Sequence, residues 1–124
     1  MAAKRLTPCP DGSQKCVSTL DTQEYCAMEP VPFTGSAADA KAAVLKVVAG
    51  HPRTAVVEDE ADYVKAIFKT RMIRFKDTVE FEIDADDSVV HFRSESVPYA
   101  GSDLGANRKR MTVVRTALVT ALGG

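Results

Sequence analysis

Tryptophan is absent and only 6% of the residues are aromatic, so a core built by this chain rests on aliphatic side chains with a few Phe and Tyr. Histidine occurs only at His51 and His91, and neither stands near a recognisable nucleophile-elbow sequence, which removes a Ser-His-Asp triad from consideration. Glycine-rich phosphate loops and the HExxH zinc motif are also missing. A formal net charge of −1 supplies no sustained field for nucleic acid or an anionic membrane, so no nucleic-acid partner is expected. The apolar run over residues 112–122 is too short to cross a bilayer and contains Arg115, so no integral membrane span is expected either. Lys4 and Arg5 give the chain a basic start, but no apolar stretch follows, and a signal peptide is not expected.

Cysteine is scarce and confined to one place: Cys9, Cys16 and Cys26 all fall in the first quarter. An odd number leaves at least one unpaired within the chain. Reduced structural thiols, one short disulfide (most simply Cys9 to Cys16) and a metal site all stay open. The spacing Cys-x6-Cys-x9-Cys matches no common zinc finger, and zinc would need a fourth ligand. No cofactor is expected.

What is present is ordinary for a single soluble domain: 124 residues, 45% hydrophobic and 27% charged, enough to bury roughly two-thirds of the unfolded chain's surface. Residues 1–35 read as an irregular arm, punctuated by Pro8, Pro10, Gly12, Pro30, Pro32 and Gly35, with strand character only over 15–20. Residues 36–124 read as one α+β domain. Ser36 is a good helix N-cap, Asp39 stands three residues on, and Gly50 is a natural stop; between them Ala40, Val44, Val47 and Val48 recur at helical spacing.

Four strand-like segments follow, over residues 53–59, 62–71, 78–85 and 89–95. Alternation puts Val64, Ala66 and Phe68 on one face, with Lys65, Lys69 and Arg71 on the other. A two-residue turn at Asp86-Asp87 would set Phe81 opposite Phe92 and Ile83 opposite Val90, with Glu80 opposite Arg93 and Glu82 opposite His91 on the reverse side. That charged side reads as a solvated face of ion pairs or, more sharply, as the floor of a groove. A second helix, from about Asp103 or Asn107 to Leu122, carries the stripe Met111, Val114, Leu118 and Leu122. The expected architecture is helix, four-stranded antiparallel curved sheet, helix, an order similar to TATA-binding-protein-like or helix-grip folds.

The densest polar stretch is residues 93–110, RSESVPYAGSDLGANRKR, held between strand and helix, where a loop-borne site is expected. Arg93, Ser94, Ser96, Asp103, Asn107 and Arg108 are the candidate ligand-binding residues, with Tyr99 and Ser102 beside them. Helix-start N–H groups together with arginines suit an anion. The competing reading is that Asp103 caps the helix while Asn107 and Arg108 tie the loop to the sheet. Asp77 and Glu80, near Phe75 and Phe81, are the alternative acid–base pair, with Arg93.

Three segments together resemble the family called domain of unknown function 1499. They are Cys9-Pro10-Asp11 with Cys16-Val17-Ser18, the run FKDTVEF over residues 75–81, and residues 93–110. The resemblance implies no established activity. It implies an exported, lipid-anchored or plastid location for many relatives, and a basic residue after the second serine where this chain has Val97-Pro98. The expected function is non-enzymatic: a domain that takes a small anionic ligand or a protein partner at the polar loop. A small enzyme using Asp77 or Glu80 with Arg93, or an assembly factor acting through its arm, is the alternative. Both site readings depend on Arg93 reaching the mouth of the last helix, beside Asn107.

Overall fold

A computed structural model describes residues 5–69, 76–97 and 101–123. In chain order the elements are β1 (Cys16–Ser18), β2 (Val31–Pro32), α1 (Ala37–Ala49), β3 (Thr54–Glu60), β4 (Tyr63–Lys69), β5 (Lys76–Asp84), β6 (Val89–Val97) and α2 (Ala106–Ala121). They form an α+β structure with two helices on an open antiparallel sheet of six strands. The main path runs β1-β6-β5-β4-β3, and β2 also pairs with β6.

The four-stranded expectation is therefore corrected to six. Residues 1–35, read as an irregular arm, supply β1 and β2. Cys16, Val17 and Ser18 pair with Glu95, Ser94 and Arg93, and Val31 pairs with Val90. β1 lies inside the strand character expected over 15–20, while β2, of two residues, carries too little alternation to show in a sequence. They form because β6 is longer than any one of these partners and would otherwise leave buried N–H and C=O groups unpaired.

The β5–β6 pairing follows the expected register. Phe81 faces Phe92, Ile83 faces Val90, Glu80 faces Arg93 and Glu82 faces His91. Pairing ends at Asp84 and Val89, so residues 85–88 form the connection, with Ser88 at φ 54°. Phe81 and Phe92 are fully buried, and truncating either to alanine removes about 3 to 5 kcal/mol of packing.

α1 starts where Ser36 Oγ accepts the N–H of Asp39 at 3.0 Å and closes on Gly50, whose N–H donates to the carbonyls of Lys46 and Val47. Its buried residues Ala40, Val44, Val47 and Val48 meet Met111, Val114 and Leu118 of α2 in one core on the sheet's inner face. No helix among the described residues is long and apolar enough to cross a membrane.

The reverse face is covered in part, which the sequence did not suggest. Glu82 Oε1 accepts the backbone N–H groups of Arg5 (2.9 Å) and Leu6 (3.0 Å), and Leu6 is buried. Arg5 lies over the Tyr63 ring at 3.7 Å and pairs with Glu58 and Glu60. His91 Nδ1 shares a 2.9 Å hydrogen bond with Thr19 Oγ1. The charged face is thus a partly buried network under the first residues of the chain. Arg71, Phe75, Pro98 and Tyr99 lie outside the described residues.

Candidate functional site

Alternation along β6 carries past Phe92. Residues 90, 92, 94 and 96 share the inner face, so Ser94 and Ser96 enter the core side although they are polar, and both are buried. On β5 the same rule turns Asp77, with Val79 and Phe81, toward the helices, and Asp77 is 1% exposed. Buried polar groups need partners. The first turns of α2 provide them, in two different ways.

Asn107 sits at the centre of the first arrangement and is fully buried. Its Oδ1 accepts from Ser94 Oγ at 2.6 Å. Its Nδ2 donates to Ser96 Oγ (2.9 Å), Asp103 Oδ2 (2.8 Å) and the Lys15 carbonyl (3.1 Å). Asp103 in turn caps the helix from two residues before the N-cap Gly105: Oδ1 accepts Gly105 N–H at 2.8 Å and Oδ2 accepts Asn107 N–H at 3.1 Å. Gly105 stands at φ 82°, a left-handed turn that glycine takes without strain.

The Tyr25 hydroxyl also donates to Asp103 Oδ1. That bond, and burial, push the Tyr25 phenol up. Burial pushes the Asp103 carboxyl up, but donation from Tyr25, Asn107 and Gly105 outweighs it and holds Asp103 below the usual carboxylate range. Arg108 donates to the carbonyls of Glu24, Tyr25 and Ala27, and Arg115 to those of Glu29 and Pro30. These residues bind the first third of the chain to the last helix.

Arg93 is not among them. Strand alternation turns it to the reverse face, where it pairs with Glu95 at 2.9 Å and Glu80 at 3.9 Å. The expected meeting of Arg93 with Asn107 at the helix mouth is corrected on that ground, since neighbouring strand residues cannot share a face. The same rule divides the alternative acid–base set. Glu80, bonded to the Tyr63 hydroxyl, lies with Arg93 on the reverse face, while Asp77 lies on the inner one. Burial first, then the bond to Glu80, pushes the Tyr63 phenol far above its ordinary value.

The second arrangement lies along the same turn of α2, facing α1. Arg110 forms an ion pair with Asp77, and its guanidinium stands 5.6 Å from the Phe68 ring centroid. Asp77 Oδ1 is buried with no hydrogen-bond partner among the described residues. His51, just past α1, packs its ring 5.8 Å from that of Phe68. Its turn is fixed by Thr54 Oγ1, which donates to the carbonyls of Val48 and His51. His51, Ala106, Lys109, Arg110 and Val113 line a cleft of about 340 Å³. Burial pushes the His51 imidazole below its ordinary value, and the positive charge of Arg110 adds to the effect. Sequence reading missed Arg110, Lys109 and His51 as a group. The available signal was Asp77 on the inward phase of its strand: a buried carboxylate implies a cation on whatever covers it.

Cys9 and Cys16 are joined by a disulfide with a Cα–Cα distance of 5.8 Å, and Cys26 is a free, buried thiol. Val17 turns into the core, so Cys16 and Ser18 turn to the reverse face.

The family described as protein of unknown function (DUF1499) matches residues 5–118. The chain belongs to this family. The match takes in both arrangements around the start of α2 and all three cysteines. No curated protein matches the chain.

Proposed function

We propose that the protein is a non-enzymatic binding domain for a small organic anion, taken in the cleft between His51 and the first turns of α2. The observation that carries this reading is the cleft itself. It has a size common to small-molecule sites, apolar walls from Val113, Ala106 and the stem of Lys109, and cationic groups at its rim. Lys109 pairs with no carboxylate among the described residues. Burial is the main cause of the lowered His51 imidazole, and the charge of Arg110 adds to it; that nearby positive charge favours an anionic guest. A carboxylate or phosphate with a compact apolar body matches both features.

In this reading Ser94, Ser96, Asp103, Asn107 and Arg108 hold α2 in place, their hydrogen-bonding capacity being largely used on one another and on the chain's first third. Arg93 serves the reverse face.

The test is a thermal-shift screen with aliphatic and aromatic carboxylates and phosphomonoesters. A ligand at one hundred times its Kd stabilises the wild type by about 2.7 kcal/mol. A Lys109→Glu/His51→Gln double variant, which keeps the Asp77–Arg110 pair, should lose that stabilisation. If every compound stabilises both proteins equally, the cleft is not a binding site.

A further inference from the structure

The Cys9 and Cys26 sulfurs and a carboxylate oxygen of Asp21 all lie within 4.8 Å of one another, and the Cys16 sulfur is bonded to that of Cys9 at 2.03 Å. Two sulfurs and one carboxylate thus converge outside the cleft, and the third sulfur, that of Cys16, is the covalent partner of Cys9. We propose that the reduced protein holds one thiophilic divalent cation, of the zinc class, between the thiolates of Cys9, Cys16 and Cys26 and the carboxylate of Asp21.

Three thiolates and a carboxylate make a tetrahedral donor set suited to a borderline-soft, redox-inert dication. With metal–sulfur bonds of ~2.3 Å, tetrahedral ligands stand ~3.8 Å apart, so the Cys9, Cys26 and Asp21 atoms need close by only about 1 Å, while the Cys16 sulfur moves away from that of Cys9 once their bond is cut. The carboxylate is already aimed. Asp21 Oδ2 accepts the backbone N–H of Cys9 at 2.7 Å, and Oδ1 accepts that of Gln23 at 2.7 Å. Bonds of this kind orient ligating carboxylates. The Gln23 side-chain amide, 3.2 Å from Oδ2, is the contact a cation would displace. The loop that carries Cys26 is clamped from outside by Arg108 through the carbonyls of Glu24, Tyr25 and Ala27. Asp21 answers the need for a fourth ligand that cysteine spacing leaves open.

The chemistry has two steps. A dithiol reductant gives two electrons and two protons to the Cys9–Cys16 bond and leaves as its own disulfide, producing two thiols. The cation then binds as Cys9, Cys16 and Cys26 release three protons to solvent. A small-molecule disulfide reverses this by thiol–disulfide exchange: it takes up the two electrons and leaves as two thiols, the Cys9–Cys16 bond re-forms, Cys26 regains a proton and the cation departs, which makes occupancy of the site dependent on redox state.

The experiment titrates cobalt(II) into protein reduced with a phosphine, which brings no thiolates of its own. Thiolate-to-cobalt charge-transfer bands and tetrahedral d–d bands are expected to saturate at one equivalent and to vanish when zinc is added. The oxidised protein should show neither. Cys26→Ser should weaken binding at least about 100-fold and Asp21→Asn about 10-fold. Circular dichroism of the same samples should show native structure. A reduced wild type that yields no such bands, folded or not, overturns the proposal. So does Cys26→Ser binding as tightly as wild type. Equal affinity for Asp21→Asn also overturns it, because an unfolded chelating chain would not depend on that residue.

Discussion

The two sides of one helical turn in α2 were built for opposite ends. On one side Asn107 meets Ser94, Ser96, Asp103 and the Lys15 carbonyl, and all its capacity is consumed. On the other, Arg110 meets Asp77, one of whose oxygens is buried without a hydrogen-bond partner among the described residues, beside a cleft lined by Lys109 and His51. The denser polar cluster is the closed one. Polar residues concentrated in sequence mark a place with many internal hydrogen bonds to make, and only leftover capacity marks a place open to a ligand.

The cleft side offers the sharpest way to break this contrast. Arg110→Ala leaves the Asp77 carboxylate buried and unpaired, and urea denaturation should show a loss of about 3 to 5 kcal/mol. Adding Asp77→Asn should recover much of that loss. A single variant as stable as wild type would mean that the charge is not buried there.

The closed side predicts the next effect. Asn107→Ala removes the partner of the Ser94 and Ser96 hydroxyls and one of the two donors to the Lys15 carbonyl, at a cost of about 2 to 4 kcal/mol. Arg93→Ala, on the reverse face, takes the cation from the largely buried Glu80 and Glu95 and should also cost about 2 to 4 kcal/mol, but it should leave anion stabilisation unchanged. Loss of anion stabilisation in Arg93→Ala would erase the distinction between the two faces.

The smallest effect separates the two sides by pH. The folded state lowers His51 below its ordinary value, so its contribution is complete above about pH 6.5 and fades as pH falls toward the folded value. Asp103 is also lowered; its contribution is complete above about pH 4 and is lost only as pH falls further. NMR titration should therefore find His51 titrating below free histidine, and rising when an anion binds. A His51 that does not move when a stabilising anion is added would place that anion outside the cleft.

Much of this was legible from residue spacing. The helix caps at Ser36 and Gly50, the four long strands, the stripe of α2 and the pairing of Phe81 with Phe92 follow from local periodicities of 3.6 and 2. Placing Arg93 beside Asn107 failed although the needed rule was in use. Alternation that turns Phe92 inward turns Arg93 outward, and Ser94 is then the residue that reaches α2. β1 falls within the strand character read over residues 15–20, whereas β2 was hidden because a strand of two residues has no period of its own. The burial of Glu82 and His91 was hidden because residues 5–19 reach them from far along the chain.

The sequence alone determined which segments are helix and strand, which side chains face inward, and the register of the central hairpin, because each depends on near neighbours along the chain. Tertiary structure decided which inward polar groups found partners and which were left one short. That depends on where α2, the turn after α1 and the first third of the chain meet, and contacts between distant segments leave no periodic trace.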